Sequence, residues 1–179
     1  MGGLALPVHA GPISGTLSGD STLTPAGTPG IFVQTFTGDG DDTIYGSFTA
    51  QSGSTIDFSD PPHILISSGS FTEVFSQGTL FGTSSGSGAA SGNGTATVTI
   101  DLVITGGTGL FAGDTGEITA TETITRTSST TESLTGSYTG SLATIPEPGS
   151  LALLVPAAVV LFLRRRRLAG DGCKVLAWS

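Results

Sequence analysis

Three carboxylates fall within four residues, at Asp39, Asp41 and Asp42, in the stretch Gly38-Asp39-Gly40-Asp41-Asp42-Thr43-Ile44-Tyr45-Gly46. Carboxylate oxygens, together with backbone carbonyls freed by a glycine-rich turn, are hard ligands of the kind Ca²⁺ takes. The same residues also suit a solvated acidic hairpin turn, and both readings stand; no other cofactor is expected. Gly82-Thr83-Ser84-Ser85-Gly86 spells the G-x-S-x-G of a hydrolase nucleophile elbow. That elbow requires a helix after the serine and a histidine later in the chain, and the two histidines are His9 and His63. A triad of another order would draw on His63 with Asp57 or Asp60, whereas a surface turn histidine beside Pro61-Pro62 accounts for the same residues. Thr105-Gly106-Gly107-Thr108-Gly109-Leu110-Phe111-Ala112-Gly113 resembles a phosphate-cradling turn, yet a strand-like run follows where nucleotide binding needs a helix N-terminus. With no credible catalytic set, a non-enzymatic protein is expected.

The elements that would position these residues read as strands. Residues 95–104, Thr-Ala-Thr-Val-Thr-Ile-Asp-Leu-Val-Ile, place an apolar side chain at every even position, the period of a half-buried strand. Weaker alternation runs through 31–37, 43–50, 69–76, 116–125 and 132–143, and Gly, Ser, Asp and Pro clusters at 38–42, 60–62 and 82–94 read as turns and loops. A phrase recurs at Gly46-Ser47-Phe48-Thr49, Gly69-Ser70-Phe71-Thr72 and Gly136-Ser137-Tyr138-Thr139, with Gly15-Thr16-Leu17-Ser18 as a looser copy. Glycine beside an aromatic on a strand fits tight curvature, the ring covering a neighbouring backbone. The expected fold is all-β, a single antiparallel barrel or meander of about eight strands, followed by a C-terminal hydrophobic helix. Closure would remove exposed strand edges.

Two local resemblances accompany these patterns. The 38–46 segment resembles one calcium-binding repeat of the RTX type, with Thr37 where the first glycine would stand, although the β-roll of that family shares each ion between successive copies. Gly-Gly-Thr-Gly-Leu-Phe-x-Gly at 106–113 is similar to a turn of allene oxide cyclase and dirigent-like eight-stranded barrels; it implies a barrel and carries over no catalytic residue.

Beyond residue 144 the chain changes character. Ile145-Pro146-Glu147-Pro148-Gly149 precedes an uncharged run of 13 residues, 151–163, and then Arg164, Arg165, Arg166 and Arg167. Such a run makes about 20 Å of helix against roughly 30 Å of hydrocarbon, and Pro156 interrupts it. Four guanidinium groups would stop transfer and stay on the cytoplasmic side. Motif, helix and arginines in this order resemble the PEP-CTERM sorting signal of exported bacterial proteins. The resemblance implies membrane insertion through 149–163, processing near Pro146, Glu147 and Pro148 by an exosortase, and passage of the upstream domain to the cell surface or extracellular matrix. Residues 168–179 continue past the arginines, where such tails usually stop.

Charge divides along the same boundary. Residues 1–147 hold 13 of the 14 acidic residues and one base, Arg126, for twelve net negative charges; residues 148–179 are net +4. So acidic a domain repels nucleic acid and anionic lipid, which excludes a nucleic-acid partner. The single cysteine, Cys173, lies past the arginines, so disulfides are not expected in the fold. Val8-His9-Ala10 has the small-x-small pattern before a cleavage site, so residues 1–10 read as the end of a secretion signal or as an ordinary N-terminus. The organisation is then 1–10, an all-β ectodomain over 11–144, a sorting segment over 145–167 and a cytoplasmic tail over 168–179. The expected function is an exported, transiently anchored protein with a structural or interaction role, with extracellular polysaccharide as a partner. The alternative is a small barrel binding an apolar molecule, with an enzyme of that barrel class third. A core filled by Phe32, Phe36, Phe48, Phe71 and Phe75 would leave no room for a ligand; a hollow of several hundred Å³ would.

Overall fold

The structure, a computed structural model, describes residues 10–144. Expectations placed on 1–9 and 145–179, among them Pro146, Glu147, Pro148, the hydrophobic helix and the four arginines, lie outside the described residues. The described chain is all-β: β1 (Ala10–Pro25), β2 (Ile31–Asp42), β3 (Gly46–Asp57), β4 (His63–Phe75), β5 (Gly78–Gly92), β6 (Thr95–Gly109), β7 (Asp114–Arg126) and β8 (Thr131–Thr144). Each strand pairs antiparallel with the next, and β8 returns to β1, Ala10 facing Ala143 and Thr22 facing Thr131, closing an eight-stranded barrel.

Period-2 alternation decides which side chains fill it. In β6, Ala96, Val98 and Ile104 are buried while Thr97, Thr99 and Asp101 face out. Outward threonines line up across strands, Thr97 opposite Thr123 and Thr123 opposite Thr135, giving a β-branched, wettable exterior. The three aromatics of the recurring phrase, Phe48, Phe71 and Tyr138, all point inward, as do Phe36 and Phe75, with Phe32 partly buried.

Two stretches differ from expectation. Residues 38–42 end β2 instead of forming a turn, and 82–94 are mostly β5 and its hairpin, not a loop. β1 was foreshadowed only by the loose phrase at 15–18. The physical reason is the bore of the barrel. A Cβ on Gly40 would enter the Phe48 ring, one on Gly38 the Phe36 ring and one on Gly82 the Phe71 ring. These inward glycines lie against rings, and Gly86 and Gly88 lie against the β6 backbone and Val98, so these strands carry the composition of loops.

One end is packed solid. Phe48 stacks against Phe75 at 4.9 Å, Tyr45 meets Phe111 edge-on at 5.0 Å, and Phe75 lies 5.1 Å from Phe111. Leu80 and Phe111 beside them are completely buried. The described chain begins and ends here, since Asp114 at the start of β7 faces Thr144. Replacing Phe48, 3 % exposed, by alanine is expected to cost about 3–5 kcal/mol of stability in urea unfolding followed by circular dichroism. A loss below ~1 kcal/mol would mean that this ring is not part of the packing that closes the end.

Candidate functional site

The parity that buries apolar side chains also carries polar ones inward. Ser21, Gln34, Ser54, Glu73, Ser84, Glu122 and Glu132 are all buried, on β1, β2, β3, β4, β5, β7 and β8. Four of them join in a chain towards the second end of the barrel. The Ser54 hydroxyl donates to Gln34 Oε1 at 3.3 Å, Gln34 Nε2 donates to Ser21 Oγ at 3.2 Å, and Ser21 donates to Glu132 Oε2 at 3.4 Å. The other Glu132 oxygen accepts from Arg126 Nη2 at 3.2 Å. Arg126 ends β7 and Glu132 lies near the start of β8, so the hairpin register, which pairs these two residues directly, sets their contact.

At that end the barrel opens. A pocket of about 260 Å³ is walled by Phe32, Phe58, Pro61, Pro62, Ile64 and Ile124, with Arg126 and Glu132 at its polar side. Phe32 and Phe58 meet edge-on at 5.8 Å, and the Arg126 guanidinium lies 5.5 Å from the Phe58 ring centre. A cation over a ring face is attracted by its quadrupole, which holds the guanidinium at the wall.

Deeper in, Glu73 and Glu122 border a second hollow of only about 60 Å³, together with Gln34, Ser54, Ser84 and Phe71. Drug-sized ligand pockets run to roughly 300–1,000 Å³, so this space takes only a few water-sized groups. One oxygen of each glutamate, Oε2, has no hydrogen-bond partner among the described residues. Burial pushes both carboxyls up from 4.5 to about 7, with the charge of Asp42 adding to the effect at Glu73.

The residues singled out from sequence are placed as follows. Asp39 and Asp41 face outward on β2, while Asp42 is buried on the opposite face. The three carboxylates are therefore not brought together, and among the described residues no three His, Cys, Asp or Glu converge on a common point. Asp42 holds the β2–β3 turn at the closed end instead: it accepts the backbone N–H of Ile44 at 2.8 Å, of Tyr45 at 2.9 Å and of Ser14 at 3.1 Å, and the Tyr138 hydroxyl at 3.0 Å. Burial, then the Asp42 charge, holds Tyr138 well above the ordinary phenol range, so it acts as a neutral donor. Ser84 lies mid-strand with its side chain in the core, not on an elbow. His63 sits exposed on the rim, its Nδ1 3.4 Å from Asp60. The glycine-rich phrase at 105–113 spans the end of β6 and the β6–β7 connection, with no helix after it.

Sequence reading missed Glu73, Glu122 and the Arg126–Glu132 pair. Strand parity held the signal, since Glu122 shares the phase of Ile118, Ala120 and Ile124, all buried. Compared with protein families, curated proteins and solved structures, the chain matches none.

Two buried carboxyls that bind protons more tightly in the fold than in the unfolded chain make stability fall as pH rises. Their contribution is full below about pH 4.5 and is lost as pH rises through about 7, on the order of 3 kcal/mol for each group. The Glu73→Gln/Glu122→Gln variant is expected to match the parent at pH 4.5 and exceed it at pH 8. Parallel urea-unfolding profiles for the two proteins across that range would overturn the assignment.

Proposed function

We propose that the chain is an exported bacterial protein whose barrel is a non-catalytic module binding a compact apolar molecule at its open end. On this reading an exosortase-type enzyme sorts it through Pro146, Glu147 and Pro148, and it is deployed at the cell surface or in an extracellular polysaccharide matrix. The observation that carries the binding role is the asymmetry of the barrel. One end is filled by Tyr45, Phe48, Phe75 and Phe111, while the other keeps an apolar pocket of about 260 Å³. The aromatic core leaves only about 60 Å³ in the interior, so the mouth, not the centre, is the seat for a ligand. The route is supported by the order of the Pro-Glu-Pro motif, the apolar run and the four arginines. A mean charge this negative suits a solvated extracellular setting and disfavours anionic partners.

Fractionation tests the route. Substituting Pro146, Glu147 and Pro148 together is expected to leave the protein in the membrane at its full size; release and size like those of the parent would refute sorting. Titration of the full-length chain with ethylbenzene, followed by methyl NMR, tests the seat. Ile64 and Ile124 signals should shift while Leu80, at the closed end, stays still, and no shift at either isoleucine, with ethylbenzene or with its ketone analogue acetophenone, would end the binding reading.

A further inference from the structure

The mouth carries one feature that a purely hydrocarbon seat would not need. Arg126 is the only lysine or arginine among residues 10–144, against twelve aspartates and glutamates. In so acidic a barrel, solvent-exposed acids could neutralise a cation anywhere on the surface. This one is instead set against an apolar pocket, over the Phe58 ring, and tied to an acid that is almost completely buried. Glu132 spends both oxygens in doing so, one on Arg126 and one on Ser21, and Ser21 is fixed in turn through Gln34 and Ser54. Holding a carboxylate inside a barrel for a rim arginine costs stability that a leucine at position 132 would not. The arrangement therefore fixes the direction of the guanidinium.

A guanidinium has five N–H donors, and among the described residues only the one on Nη2 towards Glu132 is engaged. Its side chain is 42 % exposed and lines the pocket, so the other donors are available to an occupant. A hydrocarbon seated there would cover these donors without satisfying them, which opposes binding. An anion would satisfy them, but Glu132 already neutralises the guanidinium, and the surrounding barrel is net eleven negative over residues 10–144. An organic cation, though drawn by the acidic barrel, offers no acceptor to the guanidinium N–H groups. An uncharged oxygen acceptor satisfies the donors without any of these penalties.

We propose that the mouth selects compact, uncharged apolar molecules bearing a carbonyl oxygen, which accepts a hydrogen bond from Arg126 while the apolar body packs on Phe32, Phe58 and Ile64. This rests on the mouth being the ligand seat. At about 260 Å³ the pocket takes a single ring with a short substituent. Glu132 is a positioning residue: it aims the donor and does not touch the ligand.

The test compares three probes of one size on the full-length chain, acetophenone, ethylbenzene and benzoate, read by the Ile64 and Ile124 methyl shifts. Acetophenone is expected to bind roughly tenfold or more tightly than ethylbenzene, as befits a hydrogen bond to a charged donor, and benzoate more weakly than acetophenone. In Arg126→Met the acetophenone preference should vanish while ethylbenzene binds at least as well as before. Because that variant leaves Glu132 buried without its cation, the comparison is repeated in Arg126→Met/Glu132→Gln, where no buried charge is stranded. Equal affinity for acetophenone and ethylbenzene in the parent, or a preference that survives in the double variant, overturns the carbonyl assignment and leaves the apolar seat standing. Benzoate binding more tightly than acetophenone overturns the selection against charge. If none of the three moves either isoleucine, the seat itself is wrong and this inference falls with it.

Discussion

Pairing of β1 with β8 closes the sheet, and the rest of the structure follows from that closure. A closed sheet has no free edge, so an exterior rich in threonine and serine can stay wettable without offering a template for another chain. Closure also fixes the bore. The rings of Phe36, Phe48 and Tyr138 lie over glycines immediately beside them, Gly38 on the same strand and Gly40 and Gly15 as their partners on the adjacent strands. Adding a Cβ at any of these three would push a ring or a backbone carbonyl, so glycine within the strands is a packing property of a narrow barrel, distinct from the positive-φ glycines of the connections.

The two ends solve the same problem in different ways. At the closed end the backbone groups of the β2–β3 turn are satisfied by one buried carboxylate, Asp42, and the space above it is filled by interlocking rings. At the open end the hairpins spread around prolines 61 and 62 and around Phe58, and the polar atoms are satisfied in a line from Ser54 to Arg126. The first arrangement concentrates rigidity where the described chain enters and leaves. The second leaves a concave apolar surface with one directed donor.

How far this was legible depends on the residue. Strands β6 and β7 announce themselves because their inward residues are Val, Ile and Ala against outward Thr, so alternation is plain. β5 is hidden because its inward residues include Gly82, Ser84, Gly86 and Gly88, small enough to be mistaken for a linker. The acidic cluster was legible as a cluster but not as a site. A strand inverts side chains at each step, and extending β2 through Asp42 sends that residue inward and its neighbours Asp39 and Asp41 outward. The mouth was not legible at all, because Phe58, Ile64, Ile124 and Arg126 meet only when β3, β4 and β7 are wrapped around a common axis. The sorting segment is the reverse case, readable in order and composition and outside the described residues.

The interior carboxyls bear on what the barrel is for. A core that only had to be stable would replace Glu73 and Glu122 by leucine or methionine, since each has a buried oxygen without a partner among the described residues and each is destabilising once ionised. Their neutral forms are tolerable in a core, which is why burial moves their titration to about 7 and not beyond reach of the fold. Among the described residues they do not converge with a third acid, and the hollow beside them is only about 60 Å³. What they do is keep the middle of the barrel polar, continuous with Gln34 and Ser54 on the wall of the same hollow. Those two residues are also the inner end of the chain that fixes Glu132 and through it Arg126. Gln34 and Ser54 satisfy one another and Ser21, and the two glutamates extend the polar lining of the same hollow. The polar lining of the barrel thus runs from the two glutamates to the inner end of the chain that directs the rim donor, and the glutamates cost stability once ionised.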